Sequence, residues 1–445
     1  MKTTVMLAIA MLGSLLVAST KADGGAPASE LPASAAPNAD ANANSAGTVR
    51  RFNVAFPVHV VAGTADGKLV AVANGSPTLI MQVSGGGKPA DHWQPTAEVL
   101  DTQTGKTVAT LKLASDEELK VWESTPRVSF FQVTALAFSP DSKILAVGNS
   151  IGQIKLFDSQ SGKLTQTIDD KAARQALKES PADWKSIERA MGSIKSLAFS
   201  PDGAKLAACG ESFDDFIPRF TGITRTGITG VGPGRLKIFE AKTGALKHDL
   251  VGYSAANCVT FSPDGERLAC AGRWFSPNEH GEGAIVWNSE TGEKLNAILL
   301  TANGGANSVS FSADGKLLAI LALDFDKDSD KGANSVLCLA HSATGIIDWQ
   351  RNFPGPASGV AFYDGGVMAL CDIHSLKWFG MEDGKTLMII DRSKDDAERW
   401  DEFVIARQGH MLVMGGINKD GTGSVDVWDP EANRKPVPDS GAKHE

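Results

Sequence analysis

Tyrosine, basic clusters and long apolar runs are scarce in this chain. Only 2 of the 445 residues are Tyr, and 43 Lys and Arg stand against 52 Asp and Glu, which gives a formal net charge of -9. No run of Lys and Arg is longer than two residues, so the charge pattern disfavours a nucleic-acid or anionic-membrane partner. After residue 18 no apolar segment reaches the ~18–20 residues of a membrane-spanning helix, and we expect no such span in the mature chain.

Cysteine is also sparse, and its count argues against a disulfide framework. The cysteines are odd in number and all fall in apolar, strand-like stretches: Cys209, Cys258, Cys270, Cys338 and Cys371. We expect buried free thiols that pack as small apolar side chains. One alternative stays open, in which Cys258 and Cys270 face each other across a hairpin and pair.

The N-terminus has the composition of an export signal. Lys2 precedes an apolar segment over residues 5–18, and small residues follow it, with cleavage predicted after Ser19 or Ala22. We therefore expect residues 1–22 to be a signal peptide and the mature protein to be exported, either periplasmic or extracellular. Residues 23–47 contain almost no large apolar side chain and are predicted to be a disordered linker, and residues 438–445 a disordered tail.

Glycine, by contrast, is abundant, and much of it marks two repeated turns. In the first turn, with the pattern Pro-Asp-Gly or a variant of it, Asp bonds the local backbone and Gly adopts a positive φ. Its copies are Asp66-Gly67, Pro140-Asp141, Asp202-Gly203, Asp264-Gly265, Asp314-Gly315, Asp364-Gly365 and the degenerate Gln408-Gly409. The second turn has Gly or Asn five residues after an apolar strand end, at Gly105, Gly162, Gly244, Gly292, Gly345, Gly384 and Asn433. Both markers occur seven times, which predicts seven repeats of four short strands.

One repeat carries a specific family resemblance. Residues 133–141 read VTALAFSPD, residues 143–147 read KILAV and residues 153–158 read QIKLFD, followed by Ser161, Gly162 and Lys163. This pattern resembles the WD-repeat β-propeller family, with copies from residue 48 to residue 437. The resemblance implies an all-β, seven-bladed β-propeller of four-stranded blades. The chain departs from the family by lacking its Gly-His dipeptide and the Asp before the third strand, which leaves the hydrogen bonding inside a blade open.

A strand-like segment before the first repeat is predicted to close the ring. Phe52, Val54 and Phe56 alternate with polar or small residues, the period of a half-buried strand. The tail after Trp428 is rich in proline, which lacks the donor that a sheet needs. We therefore expect the N-terminal segment to form the outer strand of the seventh blade.

In the family, the connections between strands b and c, and between strand d and the next strand a, emerge on one face. The long inserts fall in these connections, over residues 75–95, 114–132, 169–193, 211–235, 273–283 and 324–333. Length added on one face is typical of an elaborated binding face. Two inserts are predicted to contain short helices, one capped by Ser115 with Glu118 and one that begins after Ser180 and ends with Met191 before Gly192.

Candidate partner-binding residues lie in two of these inserts: Arg219, Arg225, Arg273, Trp274, Phe275 and His280. Arg219 and Arg225 belong to a Gly-rich run, which fits either a phosphate or carboxylate cradle or a plain flexible insert. Arg273 and Trp274 are residue types that anchor interfaces when exposed, but packing over a neighbouring blade fits them equally.

Signals for metals and catalysis are weak, so we predict no cofactor and no enzymatic activity. Four alternating acids resemble part of a calcium loop: Asp324, Asp326, Asp328 and Asp330. The turn Gly and terminal Glu of such a loop are missing, which favours a solvated acidic loop over a calcium site. Gly148, Ser150 and Gly152 match the G-x-S-x-G pattern of a nucleophile, but they join two predicted strands, which favours a tight turn.

The leading functional prediction is a monomeric, non-enzymatic exported scaffold. It would bind another exported protein or a cell-envelope component through the insert-rich face. The alternatives are a propeller enzyme of the lactonase-like or quinoprotein-like type, acting at the central channel, and a glycan-binding propeller that uses exposed aromatics. Only Thr344, Gly345 and Trp349 fit the docking motif of quinoprotein blades, which argues against a bound quinone.

Overall fold

The structure is a computed structural model in which all regular elements of the described residues are β-strands. The described residues are 48–74, 96–115, 132–150, 152–169, 191–212, 234–275, 280–300, 305–325, 333–363, 366–371, 375–391, 399–406, 411–418 and 421–429. Their strands form seven antiparallel blades of four strands, and the inner strands of successive blades contact one another in a closed ring. The predicted seven-bladed propeller is confirmed.

Each blade contains strands a to d, counted from the centre outwards. The first strand of the chain is β1 (Thr48–Val54). Blade 1 consists of β2 (Val60–Gly63), β3 (Leu69–Ala73), β4 (Ala97–Asp101) and β5 (Thr107–Leu111). Blade 2 consists of β6 (Val133–Phe138), β7 (Ile144–Asn149), β8 (Ile154–Asp158) and β9 (Leu164–Ile168). Blade 3 consists of β10 (Met191–Phe199), β11 (Lys205–Ser212), β12 (Gly234–Glu240) and the first part of β13 (Leu246–Phe261).

The remaining blades follow the same order. Blade 4 consists of the second part of β13 with β14 (Arg267–Phe275), β15 (His280–Asn288) and β16 (Lys294–Leu299). Blade 5 consists of β17 (Ala306–Phe311), β18 (Leu317–Phe325), β19 (Ala333–His341) and β20 (Ile347–Pro354). Blade 6 consists of β21 (Ala357–Tyr363), β22 (Gly366–Cys371), β23 (Ser375–Gly380) and β24 (Thr386–Asp391). Blade 7 consists of β25 (Arg399–Ala406), β26 (Met411–Ile417), β27 (Gly423–Asp429) and β1.

Strand β1 closes the ring, as predicted. It pairs antiparallel with β27, from Thr48 opposite Asp429 to Val54 opposite Gly423. Val54 is buried and Asn53 is exposed, which reproduces the predicted alternation. The outer strand of blade 7 therefore comes from the N-terminal side of the chain and its three inner strands from the C-terminal side.

An ion pair fixes this closing strand. Asp426 in β27 is 1% exposed, and Arg51 donates two hydrogen bonds to its carboxylate, at 2.6 and 3.2 Å. A bidentate guanidinium–carboxylate pair is stronger than a neutral hydrogen bond and permits only one register. Arg51 therefore sets the position of β1 along β27.

The core is divided into seven apolar layers, one between each pair of neighbouring blades. The layer between blades 6 and 7 stacks Tyr363 on Trp428, with ring centroids 5.5 Å apart. The layer between blades 7 and 1 combines Val54 and Phe56 with Val70 and Val413. Since each blade buries both of its faces, the repeats stabilise one another only as a ring.

Where the structure describes them, the two predicted turn types lie at the same end of their blades. In the first turn Gly67, Gly203, Gly265 and Gly315 have φ of 70° to 74°, and Ser142 takes the same conformation with φ 61° where Gly is absent. In the second turn the glycines have φ of 64° to 73°, at Gly105, Gly162, Gly244, Gly292, Gly345 and Gly384. The predicted copies at Asp364-Gly365, Gln408-Gly409 and Asn433 lie outside the described residues.

At this end of the blades, Ser and Thr hydroxyls hold the first turn by hydrogen bonds. The Gly-His dipeptide before the first strand and the Asp before the third strand, which are typical of WD repeats, are absent from these blades. Ser200 donates a hydrogen bond to Asp202 (2.5 Å) and accepts one from the Lys205 backbone N–H (2.9 Å), and its hydrogen bond lowers the pKa of Asp202. The hydroxyls of Thr64, Ser139, Ser262 and Ser312 make the same contacts in other blades. The first turn is thus held by its own side chains.

A second buried hydroxyl joins the two turns. The Ser159 hydroxyl donates to the Ser142 carbonyl at 2.6 Å. The equivalent bonds run from Thr102 to Gly67, from Ser289 to Gly265 and from Ser342 to Gly315. Blade 3 has Ala241 in this position. These bonds answer the question left open by the sequence: the blades do contain an internal polar network, built from Ser and Thr.

One of the two predicted insert helices is wrong at its C-terminal end, and most of both helices lies outside the described residues. Met191 and Gly192, predicted to end a helix, belong to strand β10, in which Met191 is paired with Ser212 of β11. The remaining residues of both predicted helices, apart from Ser115, lie outside the described ranges. Among the described residues no helix has the length and apolarity needed to cross a membrane.

Candidate functional site

The candidate binding face is the end of the propeller opposite the two turns. Because the strands of each blade alternate in direction, the connections between strands b and c and between strand d and the next strand a all lie at this end. Most residues of the predicted inserts lie outside the described ranges, Arg219 and Arg225 among them. The described part of this face consists of strand ends and of the mouth of the central channel.

Arg273 is held at this face by an ion pair. Its Nη2 lies 2.5 Å from Glu282 Oε1 across the hairpin of β14 and β15, where the two residues are opposite each other. Glu282 Oε2 also accepts a hydrogen bond from the Gly305 backbone N–H at 2.7 Å. The pair thereby joins the hairpin of blade 4 to the chain that enters blade 5. Arg273 is 35% exposed at its side chain, so its guanidinium still reaches solvent.

Trp274 lies in the core. Its side chain is 2% exposed and packs in the layer between blades 3 and 4 with Leu250 and Ile285. Gly281, opposite Trp274 in β15, has no side chain, and a Cβ there would lie 3.1 Å from the indole ring. Of the two interpretations of Trp274, packing over a neighbouring blade fits this burial and an exposed interface anchor does not.

The strands of this hairpin are longer than the predicted insert. β14 continues to Phe275, which is opposite His280 at the start of β15. Residues 273–275 and 280–283 are therefore paired strand rather than loop, and residues 276–279 lie outside the described set. Phe275 and His280 mark the end of the hairpin nearest the candidate binding face.

The acidic loop and the G-x-S-x-G segment show no sign of a metal or catalytic site in the residues that the structure describes. Asp324 lies in β18, while Asp326, Asp328 and Asp330 fall outside the described ranges. Within those ranges no three His, Cys, Asp or Glu side chains are placed to hold a metal ion. Gly152 has φ 79° and its N–H donates to the Asn149 carbonyl, so the G-x-S-x-G segment forms a tight turn as predicted.

The described thiols are free, as expected. Cys209, Cys258, Cys270 and Cys338 form no disulfide. The alternative pairing of Cys258 with Cys270 is wrong, because Cys258 is opposite Ala271 and Cys270 is opposite Val259. Neighbouring positions on a strand point to opposite faces, which sends the two thiols into different apolar layers. Burial raises the pKa of Cys338 to about 12, as expected for an unreactive core thiol.

A set of bulged residues at the channel was not predicted. In six of the seven inner strands the pairing register with strand b skips one residue near the start of the strand, which is the mark of a β-bulge. The skipped residues are Thr134, Lys195, Asn257, Asn307, Ser358 and Asp401. His59 holds the equivalent position just before β2 in blade 1. We call these seven residues the bulge ring.

The bulge ring lies on the inner wall of the propeller. The Asn257 side-chain amide donates to the Ala306 carbonyl at 2.8 Å, and the Asn307 amide donates to the Ala357 carbonyl at 2.8 Å. Both bonds run from one inner strand to the inner strand of the next blade. Because each inner strand starts at the candidate binding face, the bulge ring surrounds the mouth of the channel there. A sequence signal existed, since each ring residue stands five positions before the residue that opens the first turn.

Comparisons with known proteins agree with this architecture. Residues 92–188 match the family model of the anaphase-promoting complex subunit 4 WD40 domain, and residues 186–217 match that of the WD domain, G-beta repeat. The chain is 26% identical over 259 residues to WD repeat-containing protein 1 of Xenopus tropicalis and 27% identical over 250 residues to that of Gallus gallus. These matches cover 50% and 49% of this chain but only 38% and 37% of the two relatives.

A solved structure matches most of the chain. A chain in the crystal structure of the mitotic checkpoint complex superposes with a TM-score of 0.58 at 13% sequence identity. The superposition covers 93% of this chain and 98% of that chain. At this level of identity the similarity concerns the fold.

Proposed function

The chain belongs to the WD-repeat β-propeller family, and we propose that it acts as an exported, non-enzymatic scaffold that binds a partner protein through the insert-bearing face. The observation that carries this proposal is the strand order. In this order the connections between strands b and c and between strand d and the next strand a leave the blades at one end, and these are the connections in which the sequence has its long inserts. Binding residues are disproportionately found on loops that a rigid framework positions.

The opposite end supports the same assignment. There the buried hydroxyls of the turns already donate to backbone carbonyls of their own blade, as Ser159 and Ser342 do. These hydroxyls hold the turns in one conformation and are not available to a partner. At the insert-bearing end, Arg273 lies in strand β14, and Arg219 and Arg225 belong by sequence to the predicted insert over residues 211–235.

We assign different roles to the arginines. Arg219 and Arg225 are proposed to contact the partner, an exported protein or a cell-envelope component. Arg273 is proposed to position the face, because its ion pair with Glu282, which also accepts a hydrogen bond from the Gly305 N–H, joins the hairpin of blade 4 to the chain that enters blade 5. Trp274 supports this hairpin from the core.

Capture with purified variants tests the binding face. The Arg219→Glu/Arg225→Glu variant should lose a reproducible partner from an envelope extract, as identified by mass spectrometry. The matched control is Lys68→Glu/Lys143→Glu, two lysines with 79% exposed side chains at the opposite end, which should retain it. Loss of the partner in the control alone would place the binding surface at the turns and contradict the proposal.

Export is tested separately from binding. Mass spectrometry of the protein from its native host should find a mature N-terminus near residues 20–23, and fractionation should recover it outside the cytoplasm. The basis is the short apolar segment followed by small residues. An intact Met1 in a membrane fraction would contradict export.

A further inference from the structure

We propose that the protein forms a symmetric dimer in which β24, the outer strand of blade 6, pairs edge to edge with β24 of a second copy. This inference goes beyond the proposed function and differs from the monomer that the sequence led us to expect. It rests on the exposed apolar side chains of this strand, on its apolar interior and on a register in which the strand is complementary to itself.

Strand β24 exposes large apolar side chains at the open edge of a sheet. It pairs with β23 on its inner side and, as the last strand of blade 6, with no other strand that the structure describes. Leu387 is 60% exposed and Ile389 is 52% exposed. Such an edge combines unpaired backbone groups with an apolar surface, which favours pairing with another chain.

The neighbouring blade leaves Ile389 uncovered. Ile389 is opposite Lys377 in β23, so the two side chains lie on the same face of blade 6. On this face the Lys377 ammonium lies 5.3 Å from the ring centroid of Phe353 in β20 of blade 5. Blade 5 is therefore contacted one strand further in, at Lys377. Met388 packs on the other face, against the layer between blades 6 and 7.

Of the seven outer strands, β24 is the one whose interior is entirely apolar. Its four interior residues are Leu387, Met388, Ile389 and Ile390. Charged or polar side chains within an edge strand discourage pairing with another chain. Charges lie inside β1, β13 and β20, at Arg50, Arg51, Lys247, Asp249, Asp348 and Arg351, and Thr, Gln or Asn lies inside β5, β9 and β16. The edge of blade 6 lacks this protection.

Antiparallel pairing about a two-fold axis makes β24 complementary to itself. When Met388 is opposite Met388 of the second copy, Leu387 of each copy is opposite Ile389 of the other. Residues that are directly opposite each other in a sheet share a face and interact there. The four exposed side chains thus form one apolar cluster, and both strands gain hydrogen bonds for backbone groups at their open edges.

The charges at the two ends of the strand fit the same register. Lys385 directly precedes β24 and Asp391 is its last residue. By sequence, the register centred on Met388 sets Lys385 of each copy opposite Asp391 of the other, and a shift of one residue in either direction removes this match. The Lys385 ammonium contacts Asp383 of its own chain at 2.6 Å, but 79% of the side chain is exposed, so it can approach a second carboxylate.

The dimer would turn the two insert-bearing faces in opposite directions. Each β24 runs from the turn end of blade 6 to the insert-bearing end, and antiparallel pairing reverses one copy relative to the other. A two-fold contact uses the same surface on both copies, so the assembly closes at two. One binding face would lie on each side of the dimer, which could then hold two partner molecules.

The mass in solution tests the dimer. Sedimentation equilibrium of the full mature protein is run between about 1 and 100 µM, a range suited to a modest interface. We expect a mass that rises with concentration to twice that of the chain. Ile389→Lys should stay monomeric with an unchanged melting temperature, because pairing would bury its charge in the apolar cluster. The matched control is Leu295→Lys, at a leucine that is 46% exposed on the outer strand of blade 4, and it should associate as the wild type does.

Three outcomes would overturn the proposal. They are a wild type that is monomeric at every concentration, an Ile389→Lys variant that still dimerises, and loss of association in Leu295→Lys alone. Partner capture uses other residues, Arg219 and Arg225, and monomeric Ile389→Lys should still capture the partner. Failure of the dimer therefore leaves the proposed function standing, and failure of capture leaves the dimer standing.

A symmetric cross-link tests the register. Opposite Cα atoms in an antiparallel pair are about 4.5–5.5 Å apart, which is within the range of a disulfide. Met388→Cys, opposite itself across the two-fold axis, should form a covalent dimer with oxidised glutathione on a non-reducing gel. Leu295→Cys and the wild type should remain monomeric on the same gel. A dimer in solution without this cross-link would refute the pairing of β24.

Discussion

The described turn glycines all adopt a positive φ, and some of them must also leave space for the neighbouring blade. Gly162 and Gly203 both have a positive φ, 67° and 72°. A Cβ on Gly162 would lie 2.8 Å from the Thr110 carbonyl oxygen in the outer strand of blade 1, whereas a Cβ on Gly203 would meet nothing closer than 3.6 Å. The second-turn glycine is therefore a contact between blades as well as a turn residue.

This difference predicts unequal effects of the same substitution. Gly203→Ala should destabilise the protein by about 1 kcal/mol through the strained φ alone. Gly162→Ala should lose about 1–3 kcal/mol more, because the clashing atom is backbone and cannot rotate away. Urea unfolding of both variants measures the difference. Equal losses would show that the contact between blades 1 and 2 relaxes without cost.

The positions of these glycines could be predicted from the sequence, but their contacts could not. The spacing from strand end to glycine is local, so it is visible in one repeat. The clash with Thr110 involves the outer strand of the preceding blade and depends on how far apart the blades pack. The sequence contains no direct record of that distance.

Trp274 illustrates the same limit for a candidate site residue. The pattern around Trp274 could not distinguish an exposed anchor from a packed ring, because both fit an aromatic in a long connection. The deciding fact is that β14 and β15 continue their pairing past it. We predict that Trp274→Ala lowers the free energy of unfolding by about 3–5 kcal/mol. Chemical unfolding checks this value, and a loss below 1 kcal/mol would contradict the burial of the ring.

Between elements, charged side chains connect blade 3 to blade 4 at the turn end. Glu290, in the second turn of blade 4, contacts Lys247 in β13 and lies 3.0 Å from Lys205 in β11. The hydrogen bond from Lys247, together with the one from Lys205, lowers the pKa of Glu290 to about 2. The Lys205 ammonium also donates to the Ser289 hydroxyl at 3.0 Å, so one cation joins two residues of the next blade.

The lowered pKa predicts a specific response to acid. A carboxylate whose pKa falls on folding stabilises the folded state above its ordinary pKa, and this contribution disappears as the pH falls towards about 2. The wild type should therefore lose more stability between pH 5.5 and pH 2 than Glu290→Gln does. Urea unfolding at pH 5.5, 3 and 2 measures this. Because Glu290 is exposed, 1 M salt should shrink the difference, and identical pH profiles in low salt would contradict the coupling.

In the inner strands the ends could be predicted from the sequence, whereas the bulges could not. Turn residues and apolar spacing indicated where strand a begins and ends in each repeat. The bulges were not predicted, because a one-residue skip preserves the apolar pattern on both sides, as it does around Thr134 between Val133 and Ala135. The skip becomes visible only when strand a is paired with strand b.

At the scale of the whole molecule, stability depends on closing the ring. The seven apolar layers form a cycle, and the layer between blades 7 and 1 takes Val54 and Phe56 from the segment of β1. Alternation before the first repeat and prolines after the last were enough to predict this closure. The pair of Arg51 with the buried Asp426 was not predicted, since their separation of 375 residues leaves no local pattern.

Truncation from the N-terminal side tests this closure. Deleting residues 23–46 leaves β1 whole and should leave the melting temperature unchanged. Deleting residues 23–57 removes β1 and Phe56, and with them the burial of large apolar side chains at roughly 1.5–3 kcal/mol each and ladder hydrogen bonds at about 1 kcal/mol each. This sum is comparable to the ~5–15 kcal/mol that stabilises an ordinary domain.

The longer truncation has a second consequence that distinguishes closure from simple loss of core. Without β1, strand β27 becomes an unpaired edge, and the buried Asp426 loses the guanidinium of Arg51. An open strand edge pairs readily with other chains. The longer truncation should therefore unfold at a lower temperature and elute as aggregate in size-exclusion chromatography, while the shorter one elutes at the wild-type volume. Equal melting temperatures for the two truncations would show that the ring is stable without β1, and the seven layers would then not depend on one another.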